Sequence, residues 1–217
     1  MASSKECSKS KVQIDLYYRP GSPPCTAIRL VAAALGINLN LTLIDFQSGE
    51  SLKPEYLKLN PQTNIPTMVD DGFSLWERIN TEKMTLCTRK TPKHELVDQR
   101  LYFDFGTWSE AFTDYFYPIL FCGAPRDQSK YDKIAVGFDL LERFLEGQNY
   151  VAGSQLTIAD LALIVTVSNL EVIKYDFSRY KNVNRWATRI KAEAISFEEC
   201  NGEGLKAFQE LIDYLTQ

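Results

Sequence analysis

The chain is poor in the residues that many catalytic centres draw on. Its 217 residues include one histidine, His94. No triad pattern surrounds it, so a serine-hydrolase reading has no base to work with, and His94 reads as an exposed linker residue. The five cysteines, Cys7, Cys25, Cys87, Cys122 and Cys200, are odd in number and scattered, without the spacing of a metal site. They read as reduced thiols, with no metal expected. No long apolar run is present: the longest, Leu161–Val167, falls far short of the roughly 20 residues that span a bilayer. Charge is equally unremarkable. A net charge of −4 and a pI near 5.2 give no electrostatic case for nucleic acid or an anionic membrane as partner. Residues 1–11 are rich in Ser and Lys and lack an apolar stretch, so they read as a disordered tail and not a secretion signal.

The segment from Tyr17 to Leu30 is the most informative. Upstream, Val12, Ile14, Leu16 and Tyr18 alternate with Gln13, Asp15 and Tyr17, the period of a half-buried strand. Downstream, Ile28, Val31 and Leu35 share one helical face, and Gly36 supplies the stop. Ser22 falls at the junction as a candidate N-cap, followed by Pro23 where a missing N–H costs nothing. A helix N-terminus carries partial positive charge and unpaired N–H groups, so it favours an anion such as a thiolate or carboxylate. On this segment alone, the favoured reading of Ser22 is a cap and nothing more.

The rest of the first half alternates strand and helix. Leu39, Leu41 and Leu43 mark a second strand, and Ser51–Leu59 has the spacing of a short helix. Asn60–Pro66 is a loop whose Ile65-Pro66 step is a candidate cis peptide. Thr67–Asp70 and Phe73–Trp76 flank Asp71-Gly72, a strong hairpin signal. The second half is helical. Val97, Leu101, Phe105, Trp108, Phe112 and Phe116 step along one long helix, and Tyr131, Ile134, Phe138, Leu141 and Leu145 along another. Thr157-Ile-Ala-Asp160 ahead of an apolar run is a capping box. Leu205, Phe208, Leu211 and Leu215 mark a last amphipathic helix.

Four stretches carry a resemblance: Tyr17-Tyr-x-Pro-Gly-Ser-x-Pro-Cys25, Leu52–Gln62, Ile65–Gly72 and Val97–Asp104. Together they resemble the cytosolic glutathione transferases, the insect delta class in particular. The resemblance implies the cytosolic glutathione transferase fold: an α/β thioredoxin-like N-terminal domain over 12–87, then an all-α C-terminal domain over 94–217. It implies an enzyme that conjugates glutathione to small hydrophobic electrophiles in detoxification, a homodimer, and a cytoplasmic location. Glutathione is then a co-substrate, and no cofactor is required. A non-catalytic protein of the same fold, binding apolar ligands or a protein partner, is the alternative.

In that family the serine donates a hydrogen bond to the glutathione sulfur and does not itself attack. A free thiol has a pKa of about 8.5, and each unit of lowering is worth roughly 1.4 kcal/mol of thiolate stabilisation. Ser22 is the residue that matches this role. Cys25, three residues on, completes a Cys-x-x-Cys pattern whose first cysteine is replaced, which argues against disulfide chemistry and makes Cys25 a packed thiol. The backbone of Ile65 before Pro66 would pair with the cysteinyl unit, and Glu77 would receive the γ-glutamyl ammonium. Against the long helix, Tyr102, Phe105 and Tyr115 would line the electrophile pocket, with Trp108 and Phe112 packed in the core.

Three departures from the family stand out. Thr63 and Gln47 replace histidines that face the glycine carboxylate, and Arg78 replaces the serine after Glu77. Arg78 could in part compensate by pairing with a carboxylate. One lost hydrogen bond to a charged group costs about 1.5–3 kcal/mol, so weakened glutathione affinity is expected. Between Glu77 and Val97 the chain is also shorter than the family pattern. Residues 78–93 carry few apolar side chains and are expected to form at most a short or broken helix.

Overall fold

The computed structural model describes residues 13–46, 48–76 and 92–215. Strand β1 (Gln13–Tyr18) buries Ile14, Leu16 and Tyr18, as the alternation requires. Helix α1 (Pro23–Leu35) returns the chain to β2 (Asn38–Leu43), which runs parallel to β1. Gly36 ends α1 at φ 65°, its N–H bonded to the carbonyls of Ala32 and Ala33. Glycine accepts that left-handed conformation without a Cβ clash. A short 3₁₀ turn (Glu50–Leu52) precedes α2 (Pro54–Leu59), so the expected single helix is divided at Lys53, next to Pro54. The peptide Ile65-Pro66 is cis. Strands β3 (Thr67–Asp70) and β4 (Phe73–Trp76) form the expected hairpin, turning at Asp71 and Gly72 with φ of 49° and 79°. Positive φ at both turn residues matches the right-handed twist of the flanking strands.

The strands lie in the order β2-β1-β3-β4, with β1–β3 and β3–β4 antiparallel. The register matters for function. Tyr18 pairs with Leu43, Tyr17 with Thr67, and Thr67 with Trp76. The ends of β1, β2 and β4 and the start of β3 therefore meet at one end of the sheet.

Helices follow: α3 (Pro92–Phe103), α4 (Glu110–Cys122), α5 (Gln128–Phe144), α6 (Ile158–Val172), α7 (Lys181–Glu193) and α8 (Glu203–Leu215). The expected long helix is α3 and α4 joined by a wide π turn, Asp104–Ser109. A π turn takes in an extra residue and rotates everything after it. The stripe read from Val97 through Phe116 is interrupted at Phe105, which is 51% exposed while Asp104 turns inward at 3%, and resumes with buried Trp108 and Phe112. Thr166 Oγ1 on α6 donates to Asp104 Oδ1 at 2.8 Å, and Ser109 Oγ donates to the same oxygen at 3.3 Å.

Helix α6 is buried over nearly its whole length and packs against α1, α3, α7 and α8. Its first turn carries the capping box. Asp160 Oδ2 accepts from the Thr157 backbone N–H (2.9 Å) and hydroxyl (2.8 Å). Asp160 Oδ1 accepts from Val151 N–H and from the Trp186 indole, both at 2.9 Å. One carboxylate thus ties together the α6 start, the preceding loop and α7.

One sequence expectation differs from the structure. His94 sits in the first turn of α3 and is half-buried, so it is not an exposed linker residue. Of the shortened segment, Pro92 and Lys93 belong to α3, and residues 78–91 lie outside the described residues. The tail, residues 1–11, lies outside them as well.

Candidate functional site

Ser22 stands where β1 hands over to α1. It occupies the N-cap position with extended backbone (φ −86°, ψ 113°), and its carbonyl accepts the Thr26 N–H at 3.0 Å. Its hydroxyl makes no capping bond to the helix. The cap-only reading therefore has no bond to support it, and the partly exposed hydroxyl sits at the positive end of a 13-residue helix.

Cys25 lies one turn further in and is 1% exposed. Burial pushes its thiol above the ordinary value, with the Ser22 side chain, the Arg19 backbone and the Arg29 charge acting the other way. A buried, protonated thiol is a packing group, in keeping with the sequence reading. Among the described residues, Cys25, Cys122 and Cys200 are all free.

The turn before Ser22 rests on α8. A Cβ on Gly21 would lie 3.4 Å from the carbonyl oxygen of Gly204. One on Gly204 would meet Thr26 Oγ1 at 3.1 Å and Gly21 N at 3.4 Å. Beside this contact Arg29 Nη1 pairs with Glu203 at 2.7 Å, and the Arg29 guanidinium lies 5.4 Å from the Tyr18 ring centroid.

A buried polar knot shapes the loop that ends in Ile65-Pro66. Asn60 is fully buried and donates through Nδ2 to Thr67 Oγ1 (2.8 Å), Asn64 Oδ1 (2.8 Å) and the Asn64 carbonyl (2.9 Å). Its Oδ1 accepts the Gln62 N–H at 2.9 Å. Tyr56 adds a hydroxyl bond of 2.5 Å to the Asn64 carbonyl. Burial pushes the Tyr56 phenol up, so it remains a donor at neutral pH. The loop is thus held from inside, and no backbone hydrogen bond among the described residues uses Ile65. Asn60 and Tyr56 were not singled out from the sequence. Their signal was an Asn and a Tyr flanking a Pro-containing loop, which says nothing of burial.

Beyond the Ser22 turn the molecule opens into a narrow cleft. One lobe, about 60 Å³, is walled by Gly21, Pro23, Phe112, Tyr117, Leu120, Phe121, Asn169, Phe208 and Leu211. A second, about 90 Å³, shares Pro23, Phe112, Tyr117 and Asn169, and adds Pro24, Ser109, Thr113 and Thr166. Aromatic and proline rings dominate, so the cleft suits a small apolar molecule.

The positions read from the sequence distribute unevenly. Ser22, Thr63, Ile65 and Pro66 lie in the segments that meet at one end of the sheet, which the strand register brings together. Thr63 is half-buried with φ 60°. Gln47, Glu77 and Arg78 lie outside the described residues. The three pocket candidates are not in the cleft. Tyr102 is 76% exposed, Phe105 is turned outward by the π turn, and Tyr115 is buried edge-on against Phe116 and Tyr131. Tyr117 and Phe121 further along α4 and Phe208 on α8 line the first lobe. Phe112, assigned to the core, is buried and also walls the cleft. Among the described residues no cluster of His, Cys, Asp and Glu could hold a metal ion, and no helix is long and apolar enough to cross a membrane.

Comparison with known proteins agrees with this geometry. Residues 12–78 match the family described as Glutathione S-transferase, N-terminal domain, and residues 128–189 match Glutathione S-transferase, C-terminal domain. A delta-class glutathione transferase of Nilaparvata lugens is 42% identical, with 93% of this chain and 99% of that one covered, at a TM-score of 0.87. A glutathione transferase of Bombyx mori is 37% identical over 92% and 97%, with a TM-score of 0.84. Glutathione transferase E6 of Drosophila melanogaster is 31% identical over 93% and 97%, with a TM-score of 0.80.

Proposed function

The chain belongs to the glutathione S-transferase family, and from that premise we propose that it joins glutathione to small hydrophobic electrophiles with Ser22 as the catalytic hydroxyl. The observation that carries the reading is the Ser22 turn: a hydroxyl unused as a cap, at a helix N-terminus, beside an aromatic cleft.

Ser22 and the α1 N-terminus would favour the thiolate of bound glutathione over its thiol, the proton passing to solvent. The sulfur then attacks the electrophilic carbon of a molecule seated in the cleft, and the new C–S bond forms as a leaving group departs or a π bond shifts. The tripeptide would lie along the end of the sheet. The unused backbone of Ile65, preset by the Asn60 knot, would pair with its cysteinyl unit, with Pro66 alongside. Thr63 and Gln47 would face the glycine carboxylate, and Glu77 and Arg78 the γ-glutamyl end. With neutral groups at 63 and 47 and no hydroxyl at 78, glutathione affinity is proposed to be weaker than in relatives carrying the family's residues.

The division into a glutathione-binding domain over 12–87 and a helical domain from 94 is supported by the two family matches. The family is usually dimeric, and a homodimer in the cytoplasm is part of the proposal. The test is retention on immobilised glutathione followed by a chromogenic conjugation assay. Turnover that saturates in glutathione at a high KM is expected. Retention without turnover would overturn the catalytic reading in favour of a binding protein.

A further inference from the structure

Asn169 lines the cleft without a side-chain hydrogen bond to any of the described residues. Asn169, on the buried face of α6, is 5% exposed and walls both lobes. Its carboxamide makes no hydrogen bond with the described residues, while its neighbours' hydroxyls are engaged. Thr166 and Ser109 donate to Asp104, and Thr113 donates to the Glu110 carbonyl at 3.0 Å. The amide is not among the fully buried unpartnered groups, so its polar atoms keep some exposure at the cleft wall.

We propose that Asn169 is a specificity-determining residue: its amide N–H binds a carbonyl or nitro oxygen of an electrophile whose apolar body fills the two lobes. The inference rests on the transferase reading for its chemistry but not for its geometry. Each side of the argument is visible in the lining. Phe112, Phe208, Pro23 and Pro24 offer only apolar surface. The donor hydrogens not already committed are those of Asn169 and the Tyr117 hydroxyl, whose partial burial pushes it above the usual phenol value and keeps it protonated. Two uncommitted donors facing one apolar slot select an acceptor oxygen. The amide can be turned either way without losing the point, since its N–H₂ needs only one lone pair to meet.

For an α,β-unsaturated carbonyl the same contact would help the reaction. As the thiolate sulfur bonds to the β-carbon, the alkene electron pair moves to place negative charge on the carbonyl oxygen. Protonation at the α-carbon from solvent then completes addition of the thiol across the double bond. A donor already aimed at that oxygen stabilises the charge as it grows.

The test separates recognition from turnover. Dissociation constants for 4-phenyl-2-butanone and for butylbenzene, alike in shape but differing in the carbonyl, are measured calorimetrically on the wild type, Asn169→Leu and Asn169→Ala. The ratio of ketone to hydrocarbon Kd is expected to rise three- to tenfold in both variants, the scale of one hydrogen bond. An unchanged ratio in the variants overturns the proposal, because loss of packing alone weakens both ligands together. A protein that discriminates the ketone but conjugates no electrophile would remove the transferase proposal and leave Asn169 as a recognition residue. In an active protein, kcat/KM for 4-phenyl-3-buten-2-one should fall more than that for benzyl chloride on Asn169→Leu.

Discussion

A Cβ on Gly137 would lie 2.2 Å from Cδ1 of the Trp108 indole. The indole is fully buried and cannot withdraw, because Phe138 stands edge-on at 5.0 Å and Phe103 stacks at 6.0 Å. Replacing a mid-helix glycine by alanine ordinarily gains about 1 kcal/mol of helix propensity. Here overpacking wins, and Gly137→Ala is expected to lose about 1–3 kcal/mol in urea unfolding. A rise in stability would mean that the indole has room which the structure does not show.

Asp160→Asn tests the four-bond knot at the start of α6. Each carboxylate oxygen accepts two donors, so an amide NH₂ meets either the Val151 and Trp186 N–H groups or the Thr157 backbone N–H head-on. A loss of about 2–4 kcal/mol is expected, from unsatisfied buried donors and not from lost volume. The Trp186 fluorescence should report the altered environment in the native baseline.

Ser22→Ala addresses the chemistry. Turnover should fall roughly ten- to a thousandfold, the scale of one donor to a developing or resident anion. Glutathione binding should change less, since the hydroxyl acts on the sulfur and not on the whole tripeptide. Unaltered kcat at saturating glutathione would remove Ser22 from its role.

Acid stability should have a local origin at α5. Asp127 caps that helix, accepting from the Ser129 hydroxyl at 2.7 Å and the Ser129 N–H at 2.9 Å. The Ser129 hydroxyl is the chief cause holding its carboxyl below the ordinary value, with the backbone N–H groups and Lys130 adding to it. A depressed acid stabilises the fold above its unfolded pKa and loses that contribution as pH falls through the folded value. Asp127→Asn keeps a capping oxygen but cannot titrate. Its melting temperature should therefore decline less steeply than the wild type's below about pH 4, where an aspartate ordinarily titrates. Parallel declines would place acid sensitivity elsewhere.

Local signals served the sheet well and the cleft badly. The β1 alternation, the Asp71-Gly72 turn and the Thr157–Asp160 box each depend on residues close in sequence, and each is present. Ser22 was legible for the same reason, as a junction between two periodicities. The pocket was not. Tyr102, Phe105 and Tyr115 came from the family resemblance, and none of them lines the two lobes described. The π turn at 104–109, where Asp104 meets Thr166 of another helix, leaves no mark in an apolar count. Asn169 was invisible for a related reason. Within Leu161–Val172 it reads as one polar residue on a buried helix, and only the meeting of α1, α4, α6 and α8 shows where it faces.

Gly21 and Gly204 bring two stretches of backbone close together, with Thr26 and Ala207 beside them. An ill-fitting pair of side chains can be repaired by changing either partner, but here there is nothing smaller to substitute. The fit between the Ser22 turn and the start of α8 therefore ties two stretches of chain, far apart in sequence, into one unit. Segment exchange with a relative respects that unit only when both stretches travel together. A chimera taking its first helix from one parent and its last from another would seat the Ser22 turn against a helix end shaped for a different neighbour.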